Sequence, residues 1–77
     1  MMTIESKALA AIKKACEKTD DEIINAESWT ELNFDSLQTV ELIMQMEDLF
    51  DITIDDEDAE KLKNYNDLIA FIKGKIE

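Results

Sequence analysis

The sequence predicts an all-α fold, a small four-helix bundle with three longer helices and one short third helix. The chain contains no proline and one glycine, a composition that favours helices over turn-rich β structure. Apolar residues recur at helical spacing in three long segments. With 77 residues, 45% of them hydrophobic and 35% charged, the chain is expected to fold as one globular domain over residues 1–77.

The first helix is predicted over residues 4–17. Thr3 is the expected N-cap, and lysines near the other end suit the helix dipole. The predicted apolar stripe consists of Ile4, Ala8, Ala11, Ile12 and Ala15. Cys16 adjoins this stripe, and we interpret it as a small core residue because no base accompanies it to activate a nucleophile.

A long connection follows at residues 19–33. A capping box at its start is expected to open one helical turn that places Ile23 and Ile24. Trp29 and Leu32 are predicted to pin the connection to the core. The alternative for Trp29 is a ligand platform, but an aromatic residue beside apolar residues is more often packing.

The second helix, predicted over Ser36–Phe50, has two apolar faces. The expected core face comprises Leu42, Ile43, Met46, Leu49 and Phe50. The opposite face comprises Leu37, Val40 and Met44, interleaved with Glu41, Glu47, Asp48 and Asp51. A helix with one buried face needs no second apolar stripe, so the pattern predicts a protein-docking surface there. The alternative is contact of this stripe with the first helix or a loop.

Two further helices are predicted after an extended link at residues 51–54. The short third helix is capped by Asp55 or Asp56, ends near Lys61, and buries Ala59 and Leu62. The last helix is capped by Asn64 or Asn66, ends near Lys75, and buries Leu68, Ile69 and Ile72, flanked by Tyr65 and Phe71. The acids at residues 55–58 do not match an EF-hand loop, because its glycine is absent, and no metal site is predicted.

The net charge of −11 is distributed unevenly. Residues 19–60 hold 15 acids and no base, whereas all 8 lysines lie outside this window. Such a surface repels nucleic acid and anionic lipid, and it attracts partners that carry basic patches. No apolar run approaches the roughly 20 residues of a membrane span. The single cysteine allows no internal disulfide, which fits a reducing cytoplasm. The chain is expected to be a monomer.

Ser36, at the predicted start of the second helix, is the candidate functional residue. A catalytic serine needs a base such as histidine or lysine, but the chain has no histidine and the surrounding sequence has no lysine. The chain is therefore not expected to be an enzyme. Asp35 and Ser36 both suit a helix N-cap. A hydroxyl displayed beside a docking face is also a good substrate for a modifying enzyme.

The motif Asp35-Ser36-Leu37 resembles that of acyl carrier proteins, most closely the stand-alone type of type II fatty-acid synthesis. Similarity to the family's second and third helices is found in residues 39–42, 47–51 and 54–62. The resemblance implies that Ser36 carries 4'-phosphopantetheine, which a transferase adds from coenzyme A. The arm's thiol would hold acyl groups as thioesters.

The resemblance also implies partners with basic patches: a phosphopantetheinyl transferase, an acyl or malonyl transferase, and a ketosynthase. They would meet the acids Glu41, Glu47, Asp48 and Asp56 around an apolar centre formed by Leu37, Val40 and Met44. The cleft between the second and third helices would shelter the acyl chain. Two alternatives remain: a dedicated polyketide, peptide-synthetase or D-alanyl carrier, and an unmodified acidic adaptor that docks a basic protein.

Three positions depart from the family pattern. Asn33 replaces a glycine, but asparagine tolerates the left-handed backbone conformation better than most residues. Gln38 replaces a common acid and removes one charge from the expected docking face. Asp55 replaces a frequent proline, so the start of the third helix is expected to be looser.

Overall fold

The computed structural model describes residues 3–76, which form five α-helices and one 3₁₀ turn. The helices are α1 (Ile4–Cys16), α2 (Asp20–Asn25), α3 (Ser36–Phe50), α4 (Asp56–Lys61) and α5 (Tyr65–Ile76). The all-α class is confirmed, with α1, α3 and α5 as the three longer helices and α4 as the short one. The long connection holds α2 and the 3₁₀ turn Trp29–Leu32. Within the described part of the chain, no helix is long and apolar enough to cross a bilayer.

Side-chain caps begin α1, α2 and α5 where the sequence predicts them, whereas Asp55, the N-cap residue of α4, forms no side-chain capping hydrogen bond. The Thr3 hydroxyl accepts a hydrogen bond from the Ser6 N–H at 3.1 Å, and Thr19 caps α2 through a complete capping box. Asn64 caps α5, because its Oδ1 accepts the Asp67 N–H at 2.9 Å. The alternative cap, Asn66, instead donates its amide N–H to a backbone oxygen of α2. Local sequence therefore determines where the helices begin.

Trp29 joins the long connection to the core. It is buried, and its indole N–H donates a hydrogen bond to the Leu62 backbone oxygen at 2.9 Å. Its ring also meets Phe34 edge-on, with centroids 5.9 Å apart. Leu32 is buried beside it. The predicted packing role of Trp29 and Leu32 is confirmed, and the indole is engaged on two sides.

The core is a single cluster to which every helix or its adjoining turn contributes. Its fully buried larger side chains are Ile12, Ile23, Leu42, Met46, Leu68 and Ile72. Cys16 and Ala59 are partly buried against the cluster. The last helix buries its predicted stripe and also Tyr65.

Two residues assigned to apolar core stripes by periodicity are exposed instead: Leu49, which is 42% exposed, and Ala15. Of the two isoleucines that the capping box was expected to place, Ile23 is buried and Ile24 is exposed. Leu49 lies opposite Ala11 and Ala15 of α1, and the three residues line an open furrow between α1 and α3. These alanines are too short to cover a leucine, so burial at this position depends on the neighbouring helix and not on the helical period.

Candidate functional site

Ser36 is the first residue of α3, and the residue before it supplies the cap. The Asp35 carboxylate accepts the Gln38 N–H at 2.8 Å, and the Gln38 side-chain oxygen accepts the Asp35 N–H at 3.1 Å. The N-cap is therefore Asp35, and Gln38 closes a reciprocal capping box. Ser36 is exposed, and its hydroxyl forms no hydrogen bond with any residue in the range 3–76. The arrangement leaves this hydroxyl available to an approaching reagent.

A tight turn delivers the chain to Ser36. Asn33 has φ 66° and ψ 24°, the left-handed conformation that glycine adopts most easily. The Asn33 N–H donates a hydrogen bond to the Thr30 backbone oxygen at 2.9 Å, and the Phe34 N–H donates one to the Trp29 backbone oxygen at 3.1 Å. Phe34 is buried directly after the turn. Asn33 thus accommodates the turn as expected. The buried side chains of Leu32 and Phe34, on either side of Asn33, fix the position of Ser36.

The second apolar face of α3 lies in solvent. Leu37 is 67% exposed, Val40 55% and Met44 57%. None of the three therefore packs into the core against α1 or a loop. The carboxylates of Glu41 and Asp48 are exposed along the same helix. An acid-edged apolar surface therefore begins one residue after Ser36.

Glu47 differs from the other acids predicted for this surface. Its side chain is half-buried, and Oε2 accepts the Ile54 N–H at 3.0 Å. The Glu47 carboxylate therefore ties the extended link between α3 and α4 back onto α3. Sequence reasoning missed this structural role, because the partner lies seven residues away across a turn. Asp56, the remaining predicted acid, is exposed at the first position of α4.

Ser36 borders an open depression of about 430 Å³ between the long connection and α4. Ala59 and Glu60 line both this depression and a cleft of about 510 Å³ between α3 and α4, so the two are contiguous. Lys63 also lines the depression. The sequence around Ser36 did not predict that a lysine lies near it, because Lys63 follows α4 and only the fold brings it to the depression. Lys63 forms no hydrogen bond with Ser36, so the pair is not an activated nucleophile.

The fold and the site together define a small all-α domain that displays an exposed serine at a helix start beside a solvent-facing apolar surface. The family described as "Phosphopantetheine attachment site" matches residues 6–72. An acyl carrier protein of Desulforapulum autotrophicum is 45% identical over 76 residues, covering 96% of this chain and 99% of the relative. One from Exiguobacterium sp. is 43% identical over 67 residues, covering 86% and 85%. The chain belongs to the acyl carrier protein family, whose cofactor is 4'-phosphopantetheine.

Proposed function

We propose that this chain carries acyl groups for enzymes of fatty-acid synthesis, on a 4'-phosphopantetheine arm attached to Ser36. The observation that carries the proposal is the free Ser36 hydroxyl at the start of α3, where Asp35 performs the capping. The open depression beside Ser36 leaves room for an arm. When attached, the arm supplies the thiol that holds an acyl group as a thioester.

Attachment requires chemistry that the partner enzyme must supply. A new bond joins Ser36 Oγ to the phosphorus on the pantetheine side of coenzyme A, and the bond from that phosphorus to the nucleotide half breaks. The hydroxyl proton needs a base, and the chain contains no histidine. We therefore assign the base to the transferase, and we propose that the chain itself is not an enzyme.

The exposed face of α3 supports docking to basic partners. Leu37, Val40 and Met44 would form the apolar centre of the contact. The surrounding acids proposed to meet basic patches are Glu41, Glu47, Asp48 and Asp56. The Glu47 side chain is less available to this contact than the others, because its Oε2 already accepts the Ile54 N–H. The α3–α4 cleft beside this face would shelter the acyl chain.

The test is the intact mass of the unmodified chain after incubation with coenzyme A and a broad-specificity phosphopantetheinyl transferase. We expect the mass to increase by one phosphopantetheinyl group, and Ser36→Ala to abolish the increase. Ser28→Ala is the matched control, because it removes another of the chain's serines and must leave the gain intact. Absence of a gain, or an equal gain on Ser36→Ala, would reject the proposal. An unmodified acidic adaptor would give the first of these results.

Gln38 favours a second candidate, a dedicated carrier for polyketide, peptide-synthetase or D-alanyl transfer. Its neutral side chain stands where the family commonly has an acid, so the face seen by fatty-acid-synthesis enzymes lacks one charge. Loading assays separate the peptide-synthetase and D-alanyl carriers from the carriers that take malonyl groups. Malonyl transfer onto the modified chain supports fatty-acid synthesis or polyketide assembly, whereas loading by an amino-acid adenylation enzyme supports the peptide or D-alanyl pathway.

A further inference from the structure

Lys63 is the one base among the described residues that line the Ser36 depression. The acids in the same lining are Glu27, Asp35 and Glu60. Lys63 is exposed, and it forms no ion pair within residues 3–76. Its positive charge therefore lies beside the displayed Ser36 hydroxyl without a partner in the described part of the chain.

Backbone hydrogen bonds fix the main chain of Lys63 relative to Ser36. The Lys63 backbone oxygen accepts the Trp29 N–H at 3.1 Å, and the Trp29 backbone oxygen accepts the Phe34 N–H at 3.1 Å. Phe34 lies just before the Asp35-Ser36 pair. The Lys63 N–H donates a hydrogen bond to the Asp67 carboxylate at 3.2 Å. The main chain of Lys63 is thus tied to the turn that positions Ser36, and its flexible side chain remains free to move.

The charges of the depression decide how well it receives an arm. A phosphopantetheine arm is joined to serine through a phosphodiester, which is an anion at neutral pH. The carboxylates in the lining repel an anion at Ser36, whereas the Lys63 ammonium attracts it. The depression of about 430 Å³ also leaves room beside the serine. An exposed hydroxyl, adjacent space and one cation therefore fit the phosphodiester.

A second depression, between the end of α1 and the start of α3, is the alternative direction for an arm. Lys14 and Lys18 line it together with Gln38, but Ser36 does not. Lys63, in contrast, lines the same depression as Ser36. The observations therefore favour the side of Lys63 over the side of α1.

We propose that Lys63 is a positioning residue whose ammonium binds the phosphodiester at Ser36 and directs the arm toward α4. This inference rests on the proposed carrier function. Ala59 and Glu60 line both the Ser36 depression and the α3–α4 cleft. By holding the phosphodiester on this side, Lys63 would increase the fraction of time that the arm spends on the route into the cleft.

The effect of Lys63 is a shift between two directions of a mobile arm. An exposed ion pair changes such an equilibrium by about twofold to fivefold. Salt weakens it, because the Debye length falls from about 10 Å at 0.1 M to about 3 Å at 1 M. Lys63 therefore biases the arm without immobilising it.

Paramagnetic relaxation in NMR measures the direction of the arm. Coenzyme A whose thiol already carries a nitroxide is transferred to Ser36 of the isotope-labelled chain, so Cys16 remains unlabelled. The nitroxide broadens the signals of nearby amides. The ratio of the broadening at Glu60, in the Ser36 depression, to that at Glu17, in the α1 depression, reports which side the arm occupies.

Charge variants test whether Lys63 sets this ratio. Lys63→Gln should lower the ratio about twofold to fivefold, and Lys63→Arg should restore it because arginine keeps the positive charge. Lys18→Gln makes the same charge change beside the α1 depression and should not lower the ratio. Lys61→Gln removes a lysine that does not line the Ser36 depression and should leave the ratio close to that of the wild type.

Phosphorus NMR examines the contact on an arm that carries no nitroxide. The phosphodiester resonance should differ between the wild type and Lys63→Gln at low salt. This difference should disappear in about 1 M sodium chloride, where the ion pair is screened. Circular dichroism checks that each variant remains folded.

An unchanged broadening ratio in Lys63→Gln, or a decrease that Lys63→Arg does not restore, would overturn the proposal. So would a decrease in Lys18→Gln or Lys61→Gln as large as that in Lys63→Gln. Intact mass separates this proposal from the carrier function. Modification at Ser36 with an unchanged ratio rejects the role of Lys63 and leaves the carrier function in place, whereas absence of modification rejects both.

Discussion

Gln38 closes the capping box that starts α3, and its replacement should measure the strength of that box. Gln38→Ala removes the acceptor for the Asp35 N–H, and we expect it to lower the free energy of unfolding by about 0.5–1 kcal/mol. Gln38→Glu keeps an acceptor and adds negative charge to a first turn that has no acid, so it should be at least as stable as the wild type. Urea denaturation followed by circular dichroism gives both values. Equal stability of the alanine variant and the wild type would contradict this account.

Tyr65 reports on the core through its ionisation. Burial raises the pKa of its phenol above the usual value of 10.0, and the nearby carboxylates of Glu5 and Asp20 raise it further. The pKa of Tyr65 is therefore higher in the folded protein than in the unfolded chain. Its contribution to stability is fully present below about pH 10 and is lost as the pH rises through the folded-state pKa. Tyr65→Phe should therefore lose less stability than the wild type in this alkaline range.

The single tyrosine makes the measurement direct, because tyrosinate absorbance at 295 nm reports Tyr65 alone. We expect its titration midpoint in the folded protein to lie above that of the urea-unfolded chain. Identical midpoints in the two states would show that burial does not disfavour the tyrosinate.

At the scale of elements, Glu47 connects α3 to the link that leads into α4. Glu47→Ala removes the acceptor of the Ile54 N–H, and we expect a loss of about 1 kcal/mol in stability. Glu47→Gln removes the charge but keeps an acceptor, so it should remain close to the wild type. Hydrogen exchange of the Ile54 amide localises the effect, with faster exchange expected for alanine than for glutamine. The same rate in both variants would exclude the contact.

The helices themselves were predictable because their determinants are local. Capping residues such as Thr3 and Asp35 act within one turn, and the buried stripes follow the helical period. Burial at Leu49 was not predictable, since it depends on the length of the α1 side chains opposite. The approach of Lys63 to the Ser36 depression likewise depends on how the chain returns after α4. Sequence reasoning thus located Ser36 and its exposed neighbours, and it missed what distant segments bring to them.

At the scale of the whole molecule, charge separation opposes the fold. Exposed acids lie along α3 and α4 beside the site, whereas all the lysines lie outside residues 19–60 in the sequence, and the fold returns only Lys63 of them to the lining of the Ser36 depression. Only two ion pairs occur among residues 3–76, Lys13 with Asp20 and Lys73 with Glu5, and both are solvent-accessible. Such pairs contribute little to stability, so they do not offset repulsion among the remaining acids. The acidic surface that suits basic partners therefore carries a cost in stability.

This repulsion predicts that the melting temperature rises with ionic strength, because salt screens charges that lie more than a Debye length apart. Glu60→Gln removes one exposed acid from the window and should raise the melting temperature at low salt. Lys63→Gln is the control, because it removes a positive charge and should lower the melting temperature at low salt. Both differences should shrink as sodium chloride increases from about 10 mM to 1 M, where the Debye length falls to about 3 Å. A wild-type melting temperature that does not change across this range would show that specific packing, and not the charge distribution, limits the stability of this fold.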